Sequence, residues 1–179
     1  MRKLVLAVLL AASFTGLYAQ KLDDVKEKID KGKWDEAKEK IDKAMTDPKA
    51  STNSTAWFYK AQIYQNLAKA HPEDPTLYAT AFEAAKTYVQ LEEKQPENKR
   101  YLTSTLEGNK TLFDFYSSSF KAGADAFNKH DYQLAFNDFQ RTLDAFDLLR
   151  QYKFTTVTFD TTSVLYAGVS AEQLKNKEQ

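Results

Sequence analysis

The stretch WDEAKEKIDKAMTDP, residues 34–48, sets the reading of the whole chain. Trp34, Ala37, Ile41, Ala44 and Met45 recur three and four residues apart, the period of a helix with one apolar face. Asp47-Pro48 stops the run, because proline lacks the amide that a helix interior needs. A second stretch, YQLAFNDF at 132–139, has the same layout. Each opens on an aromatic (Trp34, Tyr132), places an alanine three residues on (Ala37, Ala135) and a bulky side chain four later (Ile41, Phe139).

The period holds outward from these two stretches. Leu22, Val25 and Ile29 form a short stripe ended by Gly32. Ala56 to Ala70 forms another, through Phe58, Ala61, Tyr64, Leu67 and Ala68, and Leu77 to Leu91 a further one. His71-Pro72-Glu73-Asp74-Pro75 and Gln95-Pro96-Glu97-Asn98 end them, so every proline falls between stripes, as helix boundaries require. From Lys99 to Lys129, Leu102, Leu106, Phe113, Tyr116, Phe120, Gly123 and Phe127 stay near the helical spacing. Glycine inside a helix costs only about 1 kcal/mol. The pattern therefore predicts one continuous helix here, with Gly108-Asn109 as the alternative break. Asp131 to Gln151 is amphipathic again, with Tyr132, Ala135, Phe139, Leu143 and Phe146 inward. The threonine-rich linker Tyr152 to Phe159 has strand-forming residues at Thr155 to Thr158, but no partner strand elsewhere, and reads as an extended loop. Asp160 or Thr161 then caps a last helix to about Leu174. The chain is expected to be all-α.

Composition narrows the chemistry. The 25 basic and 25 acidic residues cancel, which gives no bulk drive toward nucleic acid or an anionic membrane. The chain has no cysteine, so disulfides, thiolate zinc sites and cysteine nucleophiles are excluded. Residues 1–19 have the layout of a secretory signal: Arg2 and Lys3, an apolar run from Leu4 to Ala12, then Ala19 before Gln20. Cleavage after Ala19 leaves a chain, 20–179, with a net charge of −2. It predicts an exported protein, periplasmic or associated with the cell surface, with no membrane insertion once the signal is gone. A lipid anchor needs a cysteine after the cut, and there is none. Export without cysteine fits a bacterial protein better than a eukaryotic one.

The recurring residues resemble the tetratricopeptide repeat, whose pattern of about 34 residues runs W-x2-L-G-x2-Y, then A-x3-F, then P. Trp57, Ala61 and Tyr64 match its first helix, and Gly123 and Gly168 stand at its small position. Ala84, Tyr88 and Pro96, like Ala37 with Ile41 and Ala135 with Phe139, match its second. Small residues let paired helices cross closely, and rings fill the space around the crossing. The likeness spans about residues 21–179. It implies a solenoid of antiparallel hairpins with about three and a half irregular repeats: 21–50, 54–98 with an insert, 99–151 with a long first helix, and half a repeat at 160–179. Lys60 departs from the pattern, and the small positions Val25, Ala61, Gly123 and Gly168 are unevenly spaced. The alternative is an irregular helical bundle. The helix partnering Gly168 would place its alanine beyond Gln179, so the sequence reads as a fragment of a longer protein.

In this family the inner faces of the first helices line a groove that holds peptides. The resemblance carries that role to Phe58, Gln62, Gln65 and Asn66, to Phe120, Ala124, Phe127 and Asn128, and to Leu165, Val169 and Glu172. Amides suit a bound segment's backbone and rings its side chains. Packing of Phe120 and Phe127 against neighbouring helices is the competing reading of those rings. The set holds no basic residue, which argues against capture of acidic chain ends.

Catalytic signals are thin. His71 and His130 stand far apart at helix ends, and His130-Asp131 reads as a helix terminus rather than a dyad. No phosphate loop, nucleophile elbow or paired-histidine zinc motif occurs. Neighbouring acids such as Asp23-Asp24 and Glu92-Glu93 read as solvated faces. No cofactor or metal is expected. Asp160-Thr161-Thr162 resembles the O-glycosylation acceptor of exported Bacteroidota proteins, although a helix cap accounts for the same residues. The expectation is a non-enzymatic scaffold of the bacterial envelope that binds a protein or peptide partner. A glycan-binding helical-repeat module is the alternative, and a carboxylate-based hydrolase the third reading.

Overall fold

A computed structural model of the chain describes residues 20–177, with side chains to Lys175. The expected signal peptide at 1–19 lies outside the described residues. Those residues are helical, with no strand among them. They form two compact units that meet in sequence between Thr103 and Ser104.

The first unit opens with α1 (20–30), followed by α2 (Trp34–Ala44). Leu22, Val25 and Ile29 of α1, and Ala37, Ile41 and Ala44 of α2, are buried, so both apolar stripes face inward. Ion pairs Lys28–Glu36 and Lys40–Asp24 join the two helices across their exposed edge. A 3-10 turn (Pro48–Thr52) leads into α3 (Ser54–Ala70), which packs along both α2 and α4 (Pro75–Glu92). Asn53 caps α3 and Asp74 caps α4, each accepting a backbone amide two or three residues on. Pro48 and Pro75 thus open their elements, where a missing amide costs nothing.

After a 3-10 turn (Glu97–Lys99) comes α5 (Leu102–Leu106), then α6 (Lys110–Asn128). The continuous helix expected over 99–129 is therefore not formed. Gly108 and Asn109 take φ of +65° and +57°, in the left-handed region. The Gly108 amide donates to the Thr105 carbonyl at 3.0 Å and the Asn109 amide to the Ser104 carbonyl at 2.7 Å. This pair of bonds closes a helix end and satisfies carbonyls that would otherwise be orphaned. Leu102 and Leu106, expected on the buried stripe, are 58% and 91% exposed.

The second unit is an α6–α7 hairpin, α7 being Tyr132–Gln151, with α8 (Thr161–Lys177) packed on α7. α6 ends like α5: His130 takes φ +60°, its amide donates to the Phe127 carbonyl, and the Asp131 amide to that of Ala126. His130 is thus a turn residue. Gly123 is the close approach of this hairpin, since a Cβ there would lie 3.1 Å from the Phe139 ring. Ala126, Ala135, Phe139 and Ala167 form the buried cluster around it.

Candidate aromatic pocket

The second unit holds a pocket of about 400 Å³, near the lower end of the range for small-ligand sites. Its walls come from four places in the sequence. Phe113 and Tyr116 stand on the first turns of α6, and Phe146 and Leu149 on the last turns of α7. Thr155, Val157 and Phe159 of the linker form one side, and Asp160, Thr161 and Thr162 close it at the start of α8. The Tyr116 and Phe146 rings tilt against one another with centroids 6.3 Å apart. Phe146 and Leu149 belong to the core, whereas Phe113, Val157 and Phe159 stay 40%, 54% and 62% exposed.

Asp160 is the pocket's one carboxylate. It is buried, and it caps α8: Oδ1 accepts the Ser163 amide at 3.1 Å and Oδ2 the Ser163 hydroxyl at 2.5 Å. Burial, then the hydrogen bond to Asp160, push the Tyr116 phenol above its ordinary value, so the phenol stays protonated. The carboxylate is thus taken up by its own helix end and by Tyr116. What it leaves to a ligand is an aromatic floor rimmed by hydroxyls. Among the described residues, no group of three or more histidine or acidic side chains could hold a metal ion. No described helix is long and apolar enough to cross a membrane.

The positions implied by the repeat register are not part of this pocket. In α3, Phe58 and Gln65 are each 2% exposed, and Phe58 packs its ring on Tyr88 at 4.9 Å. Both fill the hairpin interior and present no surface to a partner. Gln62 and Asn66 are half-buried, and the Asn66 amide donates to the Gln62 carbonyl of its own helix at 2.8 Å. In α6, Phe120 sits edge-on to Phe139, and Phe127 edge-on to Tyr132 and Tyr166. These two rings pack on the α6–α7 core together with Ala124. Asn128 is exposed. On α8 the inward residues are Ser163, Ala167 and Ser170, which leaves Leu165 and Glu172 on the open side and Val169 half-buried. Gly168 is exposed too, with nothing within 4 Å of where its Cβ would stand. The small residue that α8 packs against α7 is Ala167.

The sequence did carry one signal for the pocket: the uncharged, β-branched run at 155–158, set between two amphipathic helices. The rings of α6 and α7 that meet it were legible only as core.

No family model, curated protein or solved structure matches this chain. The fold and the pocket define a class: an all-α protein of helix hairpins, with an aromatic-lined pocket in its second unit.

Proposed function

We propose that this chain is a non-enzymatic scaffold of the bacterial envelope, built from hairpins of the tetratricopeptide type, whose second unit binds a segment of a partner protein at the aromatic pocket. The observation that carries this reading is the placing of Phe113, Val157 and Phe159, three large apolar side chains left open around one concave site. Apolar patches of this kind mark interaction sites, since solvent exposure costs free energy that a partner recovers. The repeat reading draws support from the buried small positions Ala61, Ala84 and Ala135 and from the close approach at Gly123. A binding rather than catalytic role accords with a carboxylate committed to a helix cap.

The test places a photo-cross-linking side chain at Phe159, and separately at Leu165, in the chain expressed in its own envelope. Cross-linking to a defined protein from position 159, lost on Phe113→Ser, is the expected result. Cross-linking from 165 alone would move the site to the outer face of α8. A retained glycan with no cross-linked protein would favour the sugar-binding alternative.

A further inference from the structure

The linker beside the pocket has the side-chain alternation of a strand, and no strand is paired with it among the described residues. Residues 155–160 belong to no helix or turn. Their side chains alternate: Thr155, Val157 and Phe159 line the pocket, while Thr156 and Thr158 do not and are exposed. That is the period of an extended strand. Among the described residues, the one hydrogen bond made by the backbone of 155–159 is from the Val157 amide to Thr155 Oγ1, at 3.2 Å. Amides along a strand point alternately to its two edges. The Val157 amide is occupied, so the edge carrying the amides of Thr156 and Thr158 is the open one. An open strand edge with no charge and no proline is a template for pairing with another chain.

Resting on the reading of the pocket as a partner site, we propose that the partner segment binds as a β-strand, added to the open edge at Thr156 and Thr158. Its alternate side chains then fall over the pocket rings. The chemistry of the occupant follows. It is an extended polypeptide, because backbone pairing gives the affinity and alternate side-chain pockets give the selectivity. It is uncharged over the paired stretch, because residues 154–159 carry no charge; the flanking Lys153 and Asp160 lie beyond its ends, and the Asp160 carboxylate is already engaged. It carries bulky apolar residues at every second position, to meet Phe113, Tyr116 and Phe159.

The binding measurements use peptides and the unaltered protein. The probe is a capped hexapeptide alternating threonine with valine and phenylalanine. Two isomers carry N-methyl groups on the amides of one edge or of the other, so composition and apolar surface are the same. Affinity is read by calorimetry, and amide exchange of 154–160 by mass spectrometry. Strand pairing predicts that the isomer blocked on the pairing edge binds about ten- to a hundredfold more weakly than its counterpart, the loss of two hydrogen bonds. It also predicts new protection of the Thr156 and Thr158 amides. Equal binding by both isomers and the parent would overturn strand pairing and leave the pocket reading standing. Binding by none of the three would overturn both. If the free chain is a dimer by ultracentrifugation, and Val157→Lys turns it monomeric, the edge is already used by a second copy and the external partner is ruled out.

Discussion

The two units are built from the same part, an antiparallel helix hairpin, and both carry exposed ion pairs, but they differ in how much apolar surface they leave open. In the first, the outer faces carry ion pairs: Lys26–Asp30, Lys31–Glu27, Lys33–Glu36, Lys38–Asp42 and Lys86–Glu83. Exposed pairs of this kind contribute little to stability; they keep a surface hydrated. In the second, Leu106, Phe113, Leu134, Val157, Phe159, Val164, Leu165 and Tyr166 stand open, against Leu102 alone in the first unit among the described residues. Helix packing explains both interiors, but among the described residues the second unit leaves far more apolar surface unspent. The difference teaches where to look for binding: not at the residues that define the hairpin, which are consumed in making it, but where a hairpin meets an irregular segment.

The strongest way to break the comparison is to remove the core of one unit and watch the other. Phe139 is fully buried, with its ring against Gly123, Phe120 and Tyr166. Phe139→Ala is expected to cost about 3–5 kcal/mol. Hydrogen exchange should show the loss in helices α6 to α8, with α2 to α4 still protected. Equal loss throughout would mean that the units unfold as one body.

A smaller effect separates two glycines that the repeat pattern treats alike. At Gly123 an added Cβ meets the Phe139 ring at 3.1 Å, whereas at Gly168 it meets nothing within 4 Å. Gly123→Ala should therefore destabilise by about 1–3 kcal/mol through overpacking. Gly168→Ala should stabilise by up to about 1 kcal/mol, the helix preference of alanine over glycine. Denaturant midpoints of the two variants measure both. A gain at both positions would show that the α6–α7 crossing has slack to give.

These positions also show what was legible in the sequence. Helices were readable wherever a stripe ended in proline or a cap: Asp160, read as the cap of the last helix, accepts the Ser163 amide. The caps Asn53, Asp74 and Asp131 appear only in the structure. The break at Gly108-Asn109 was not decided by spacing, because the stripe continues in number although the chain reverses its twist there. Leu102 and Leu106 kept the period and lost the core. Gly168 matches the motif yet has nothing within 4 Å of where its Cβ would stand, because a glycine matching a motif says nothing of whether another helix lies against it. The pocket was the least legible, since its walls come from α6, α7, the linker and α8, and only the fold brings them together.

The smallest effect concerns two carboxylates, one from each unit, that depart from ordinary in opposite directions. Glu36 is exposed and takes hydrogen bonds from Lys33 and then Lys28, which hold its pKa down to about 2 from 4.5. Asp138 is raised above 3.8 by burial, with Arg141 pulling the other way at 2.9 Å. The signs differ in consequence. Stability linked to Glu36 is present above its unfolded value and is lost as pH falls through about 2. Stability linked to Asp138 is present below its unfolded value and is lost as pH rises through the folded one. Carboxylate NMR titration in low and high salt separates the causes. Salt should lift the Glu36 midpoint toward the ordinary range, because exposed charges are screened. It should leave Asp138 nearly unmoved, because desolvation is not screened. If Asp138 followed the salt as Glu36 does, its environment would be wet, and the contrast between an exposed carboxylate of the first unit and a desolvated one of the second would fail.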